Sequence, residues 1–113
     1  MHELWICKNI LEIIGQNVQT MNCNRIKKIV LEIGELAAIE KEALFFGFKV
    51  ASEGSVAENA VLHIIDIPGE AFCESCQKLV PLRQYYDACQ SCGNHALKVI
   101  HGEELRVQSM VIE

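Results

Sequence analysis

The chain has 113 residues, 50% of them hydrophobic and 22% charged, with six cysteines and a formal net charge of −5. That length fits one domain, or one domain carrying a small insert, and ten Lys+Arg against fifteen Asp+Glu lack the basic face that nucleic acid selects. No apolar run reaches the roughly 18 residues of a membrane span, and Met1-His2-Glu3-Leu4 lacks the basic start of a secretory signal, so a reducing, cytoplasmic location without membrane attachment is expected.

Residues 4–18 carry Leu4, Cys7, Leu11, Ile14 and Val18 at steps of three and four, with Ile10 widening the stripe. This spacing predicts an amphipathic helix with one buried face. Asn22, Cys23 and Asn24 mark the turn after it. Residues 25–33 read as a strand with Ile29, Leu31 and Ile33 on one face and Lys28 and Glu32 on the other, closed by Gly34. A second helix is expected from Glu40 to Ala51, with Leu44, Phe48 and Ala51 along one side and Phe45 beside them. Gly47 costs this helix roughly 1 kcal/mol relative to Ala, so packing must support it. Residues 60–67 form a second strand, broken by Pro68-Gly69, and residues 104–113 alternate as a third.

Between Pro68-Gly69 and Gly102 the character changes. This stretch carries four of the cysteines and short strand-like pieces at 78–84 and 96–101. A segment of about 35 residues cannot bury enough apolar surface to fold alone and needs a staple. The expected architecture is α+β: a three-stranded sheet with two helices over residues 1–68 and 104–113, plus an inserted four-cysteine, zinc-ribbon-like domain of short hairpins over residues 69–103.

The staple is Cys73-x-x-Cys76 and Cys89-x-x-Cys92, two identical pairs with twelve residues between them. Each Cys-x-x-Cys turn aims two sulfurs at one point, and two turns supply the four thiolates of a tetrahedral zinc site. Gly93 follows the second pair, where such a turn needs a positive φ. Full coordination by protein leaves no position for water, so the Zn(II) is structural. Iron in a rubredoxin-like site would use the same four ligands. Cys7, on the apolar helix face, reads as a small hydrophobe, and Cys23 as a turn residue. No nucleophile with an identifiable base is present, so no catalytic residue is expected and the chain does not read as an enzyme.

His2 is the second suggestive feature. A terminal amine, backbone nitrogens and an imidazole chelate in fused, near-planar rings that favour Ni(II) or Cu(II) over Zn(II); a frayed terminal histidine without a metal is the plain alternative. Together these residues carry a resemblance. Met1-His2-Glu3-Leu4, Leu31-Glu32-Ile33-Gly34-Glu35-Leu36, Gly54-Ser55-Val56-Ala57-Glu58 and the paired cysteines are similar to those of the hydrogenase nickel-incorporation proteins, the HypA/HybF family of nickel metallochaperones.

The resemblance implies transported Ni(II) held by His2 with the backbone nitrogens of Met1 and His2. Glu3 tunes or completes the site, and Glu40 approaches it from an acidic position of the family, although an acid opening a helix is already explained by the macrodipole. It implies structural zinc on Cys73, Cys76, Cys89 and Cys92. It also implies a nickel-pathway GTPase as partner, the large subunit of a nickel–iron hydrogenase as client and, in some organisms, urease maturation proteins. Some members carry a histidine directly after a cysteine pair; here those positions are Gln77 and Gly93, with His95 and His101 the nearest alternatives. His63, inside a strand, reads as a packed or edge histidine. A zinc-ribbon adaptor without metal delivery is the competing class, and the sequence is compatible with a monomer or a homodimer.

Overall fold

The computed structural model describes residues 2–21 and 24–113, with side chains from 3 to 16 and from 24 onward. Helix α1 spans His2–Met21. Its buried face is Ile6, Cys7, Ile10 and Ile14, while Leu4 and Leu11 are half-buried. The stripe is therefore rotated from the one that the Leu4–Cys7–Leu11 spacing predicts. The cause lies in α2 (Lys41–Ala51), which crosses α1 at Gly47. A methyl group there would sit 3.4 Å from both the Cys7 sulfur and the Leu4 Cα. Gly47 lets the helix backbones approach closely, and it offers no side chain to cover Leu4. The predicted cost of Gly47 to an isolated helix is thus the condition of the crossing. On α2, Leu44 and Phe48 are buried and Phe45 is 44% exposed.

Strand β1 (Ile26–Gly34) lies at the centre of a three-stranded sheet, between β2 (Val61–Ile67) and β6 (Leu105–Ile112). Its central position explains why Ile29, Val30 and Leu31 are all buried rather than alternating. The chain end is tied to the start of β1: Glu113 N–H donates to the Arg25 carbonyl at 2.8 Å, and the two side chains pair at 2.7 Å. A second three-stranded sheet has β3 (Glu70–Cys73) in the middle, antiparallel to both β4 (Lys78–Pro81) and β5 (Leu97–His101). Register brings Cys73 opposite Lys78 on one side and Leu97 on the other, with a bulge between Glu70 and Ala71.

The chain divides into two compact units. One comprises Met1–Leu31, Ile39–Ile64 and Arg106–Glu113; the other comprises Glu32–Ala38 and Ile65–Leu105. The second unit draws in a single 3-10 turn, Glu35–Ala37, for physical reasons. Leu36 packs with Ala71 and Leu82 in a small apolar cluster. Leu36 N–H donates to the Gly102 carbonyl at 2.8 Å, and the Glu35 carboxylate accepts Gly69 N–H at 3.0 Å. Gly69 is required here: a Cβ would fall 1.8 Å from the Leu82 carbonyl oxygen. Among the described residues, no helix is long and apolar enough to cross a membrane.

Candidate metal centres

Strand β3 ends on Cys73, and the chain turns through Cys76 so that Gln77 N–H donates to the Cys73 carbonyl at 2.8 Å. The second pair repeats this move, with Gly93 N–H donating to the Cys89 carbonyl at 2.8 Å. The residue closing each turn is left-handed, Gln77 at φ 56° and Gly93 at φ 77°. The glycine is the expected residue at such a place. Gln77 is not, yet it occupies the equivalent position one residue after the pair, and the repeat itself is the signal for it. Its side chain helps hold the unusual backbone, Nε2 donating to the Glu74 carbonyl at 2.6 Å. Asn94 joins the two turns: its carbonyl accepts Cys89 N–H at 2.8 Å and its Nδ2 donates to Ser75 Oγ at 2.6 Å.

This scaffold gathers the four sulfurs within 4.8 Å of one another. Cys73 and Cys92 approach to 3.7 Å, and Cys76 and Cys89 to 3.9 Å. A tetrahedral zinc with Zn–S of about 2.3 Å requires sulfur–sulfur separations of about 3.8 Å. The donor set therefore fits zinc in number, chemistry and spacing. Hydrogen bonds from Cys92 N–H, followed by Ser91 N–H, pull the Cys89 thiol down to about 6 against the cost of burial, while the hydrogen bond to Cys92 leads the causes that push Cys76 up to about 12. Burial is uneven: Cys73 and Cys89 are buried, Cys76 is half-buried and Cys92 is exposed.

The other expected metal ligands lie in the helical unit. Met1 and the side chain of His2 fall outside the described residues. Glu3, in the first turn of α1, is half-buried and lines a shallow pocket of about 210 Å³ with Leu4, Ala43, Phe46, Gly47 and Val50. Glu40 is the exposed N-cap residue of α2. Its carboxylate makes no cap hydrogen bond, although its carbonyl accepts Leu44 N–H at 3.0 Å. It stands one helical turn before Ala43, which shares the pocket wall with Glu3.

The remaining candidates have plain explanations. Cys7 is buried and donates to the Leu44 carbonyl at 3.3 Å; burial, with the Glu3 charge adding to it, pushes its thiol up to about 11. Cys23 lies outside the described residues. His63 is exposed on β2, an edge strand, His95 is exposed, and His101 Nδ1 lies 3.5 Å from a Glu104 oxygen.

Among the described residues, two α-helices, two three-stranded sheets and a four-cysteine cluster arranged as in a zinc ribbon define a small α+β protein with a candidate metal centre of the ribbon kind. Residues 1–112 match the family model described as hydrogenase/urease nickel incorporation, metallochaperone, hypA, and the chain belongs to that family. It is 58% identical over 113 residues to the hydrogenase maturation factor HypA of Legionella pneumophila strain Lens, covering 100% of both chains. It is 43% identical, again over 100% of both, to the protein of that name from Acidithiobacillus ferrooxidans. Among solved structures it resembles that of the Ni metallochaperone HypA from Helicobacter pylori, with a TM-score of 0.70 and 23% identity over 97% of this chain and 96% of that one. It also resembles a solution structure of HypA protein, with a TM-score of 0.73 and 25% identity over 100% and 97% of the respective chains.

Proposed function

We propose that the chain is a nickel metallochaperone and scaffold that binds one Ni(II) through His2 and the backbone nitrogens of Met1 and His2, then passes it toward the large subunit of a nickel–iron hydrogenase. The observation that carries this reading is membership of a nickel-incorporation family over residues 1–112, a match that begins on Met1-His2-Glu3. Helix α1 opens at His2, and the first amides of a helix have no carbonyl partner within it, which suits a chelate that uses backbone nitrogen. Glu3 is the nearest acidic contributor, and Glu40 the outermost, one turn along α2 from the pocket that Glu3 lines. An exposed chelate with few protein ligands suits release better than an enclosed cage.

In this reading Cys73, Cys76, Cys89 and Cys92 hold structural Zn(II), which supplies a cross-link and no chemistry. The nickel-binding part comprises residues 1–68 and 104–113, and the zinc-binding part residues 69–103. A nickel-pathway GTPase and, in some organisms, urease maturation proteins are the expected company, in the cytoplasm. The chain acts as a carrier and not as an enzyme.

The test uses Trp5, the single tryptophan, which is 64% exposed and lies three residues from His2. Its quenching reports Ni(II) binding to the untagged protein. One residue added before Met1, or His2→Ala, is expected to weaken nickel binding by about 100-fold or more while one zinc per chain is retained. Unchanged nickel affinity in the extended protein overturns the terminal chelate. Binding should also weaken below neutral pH, because imidazole and amine, with reference pKa values of about 6.5 and 7.7–8.0, must lose protons to coordinate.

A further inference from the structure

The four sulfurs of the cysteine cluster are equivalent in the pattern Cys-x-x-Cys but not in the fold. Cys73 is the last residue of the central strand β3 and is 0% exposed, and Cys89 is 2% exposed. Cys76 is half-buried. Cys92 alone among the four is exposed, and its sulfur lies 3.7 Å from that of Cys73. An electrophile arriving from solvent meets Cys92 first, and the sulfur best placed to react next is on the other turn. Exposure therefore makes Cys92 the most accessible nucleophile of the four.

We propose that Cys92 is an oxidation site through which a hydroperoxide opens the cluster, with Cys73 as the resolving cysteine. This rests on the zinc reading of the four thiolates. In the first step the Cys92 sulfur attacks one peroxide oxygen; the S–O bond forms, the O–O bond breaks, and the departing hydroxide takes a proton to leave as water. Cys92 is then a sulfenic acid. In the second step the Cys73 thiolate attacks the Cys92 sulfur; the S–S bond forms, the S–O bond breaks, and a second water leaves with another proton. Two thiolates, one hydrogen peroxide and two protons give one disulfide and two waters, the sulfurs giving up the two electrons that the peroxide gains. With two of four donors withdrawn, the remaining pair no longer retains the ion. A dithiol reductant restores all four thiolates. Cys7 takes no part: it is fully buried and its thiol is engaged with the Leu44 carbonyl.

The experiment uses the full chain with its native cysteines. Zinc content is measured first, and one zinc per chain is the precondition; a metal-free or iron-loaded protein overturns the zinc reading itself. The zinc protein is then labelled with limiting iodoacetamide and mapped by mass spectrometry, comparing the four cluster cysteines. Cys92 is expected to label about tenfold faster than Cys73 or Cys89. In a second arm, hydrogen peroxide is added with a chromophoric zinc indicator, and peptides are mapped without reduction. One zinc is expected to be released for each Cys73–Cys92 bridge formed, and dithiothreitol with added zinc should reverse both. Faster labelling at Cys73, Cys76 or Cys89 in a one-zinc protein overturns the proposal, as does zinc release through any other bridge. Cys92→Ser checks the entry point provided that it retains zinc; the mapping on the unmodified chain decides the matter whether or not that variant folds.

Discussion

The helical unit buries Ile6, Ile10, Ile14, Ile26, Ile29 and Leu31 together with Leu44 and Phe48, all large apolar side chains. The other unit buries Ile33 and Leu36 from Glu32–Ala38 and Ala71, Val80 and Leu82 from Ile65–Leu105, and beyond these its buried hydrophobic positions among the described residues are Cys73 and Cys89. At roughly 1.5–3 kcal/mol for each fully buried large aliphatic, the first unit has the means to fold on apolar burial, whereas the second has two small clusters. The four sulfurs stand where a core would be. One region can thus be held together by packing, while the other needs a cross-link, which Zn(II) on the four sulfurs would supply in the proposed reading.

The largest test of that contrast is removal of the metal. If Zn(II) holds the cluster, a strong chelator should unfold the cysteine unit, because structural zinc contributes on the order of 10–16 kcal/mol in small domains of this kind. Amide exchange should then become fast at β3, β4 and β5 and stay slow at β1 and the buried face of α1. Cys73→Ser should act the same way. Loss of protection in both units together would break the comparison.

The two regions also differ in how far their amino acids announce them. Elements of the helical unit are legible from periodicity: α1, β1, α2, β2 and β6 all exist within a few residues of their expected bounds. What periodicity cannot supply is the rotation of α1, since the stripe at Leu4, Cys7 and Leu11 and the face at Ile6 and Ile10 are neighbouring readings of one helix. Only the close crossing at Gly47 selects between them. The candidate zinc site is legible because ligand spacing is a local property. The recruitment of Glu35–Ala37 to the cysteine unit is not, because nothing in Gly34-Glu35-Leu36 reveals that Leu36 will meet Ala71 and Leu82. Lys78–Gln84 reads from its sequence as one strand, but β4 stops at Pro81, after which the Asp87 carboxylate accepts the Arg83 and Gln84 N–H groups in a turn.

The next effect belongs to the packed region. Gly47→Ala puts a methyl group 3.4 Å from the Cys7 sulfur and the Leu4 Cα, within ordinary contact, and gains helix propensity of about 1 kcal/mol; it should be neutral or mildly stabilising. Gly47→Val adds branches that the crossing cannot take and should cost about 1–3 kcal/mol. Denaturant melts followed by far-ultraviolet dichroism check both, and zinc content should be unchanged in each. An equal loss of zinc from Gly47→Val would show that packing and cross-link are not independent.

Alkaline pH probes the same crossing more gently. The Cys7 thiol is raised from 9.0 to about 11, chiefly by burial. Below pH 9 the thiol is neutral in folded and unfolded chains, and its contribution is fully present. Between 9 and 11 the unfolded chain ionises while the folded chain does not, so stability falls as pH rises, levelling off above 11. Cys7→Ala lowers stability at neutral pH by leaving a small cavity, and it should flatten this decline. The difference between the two proteins, measured from pH 8 to 11, isolates Cys7 from the other groups that titrate there. An unchanged slope in Cys7→Ala would mean that the thiol is solvated and the crossing looser than its geometry.

The smallest expected effect lies within the cysteine unit and concerns whether anything besides the sulfur cluster joins its two turns. Asn94 Nδ2 donates to Ser75 Oγ across the cluster, and its Oδ1 accepts Ala96 N–H at 2.9 Å. Both partners of the Asn94–Ser75 bond are polar side chains near water, so the bond should be worth about 0.5–1.5 kcal/mol at most. Asn94→Ala is therefore expected to keep one zinc per chain but to lose it to a chelator several-fold faster, by a factor of about 2–10 on the same energy scale. Ser75→Ala should reproduce the part of that effect due to the cross-turn bond, and the double variant should be no faster than Asn94→Ala. Additive rates would instead assign the two residues to separate turns, leaving the sulfurs as the sole connection between them.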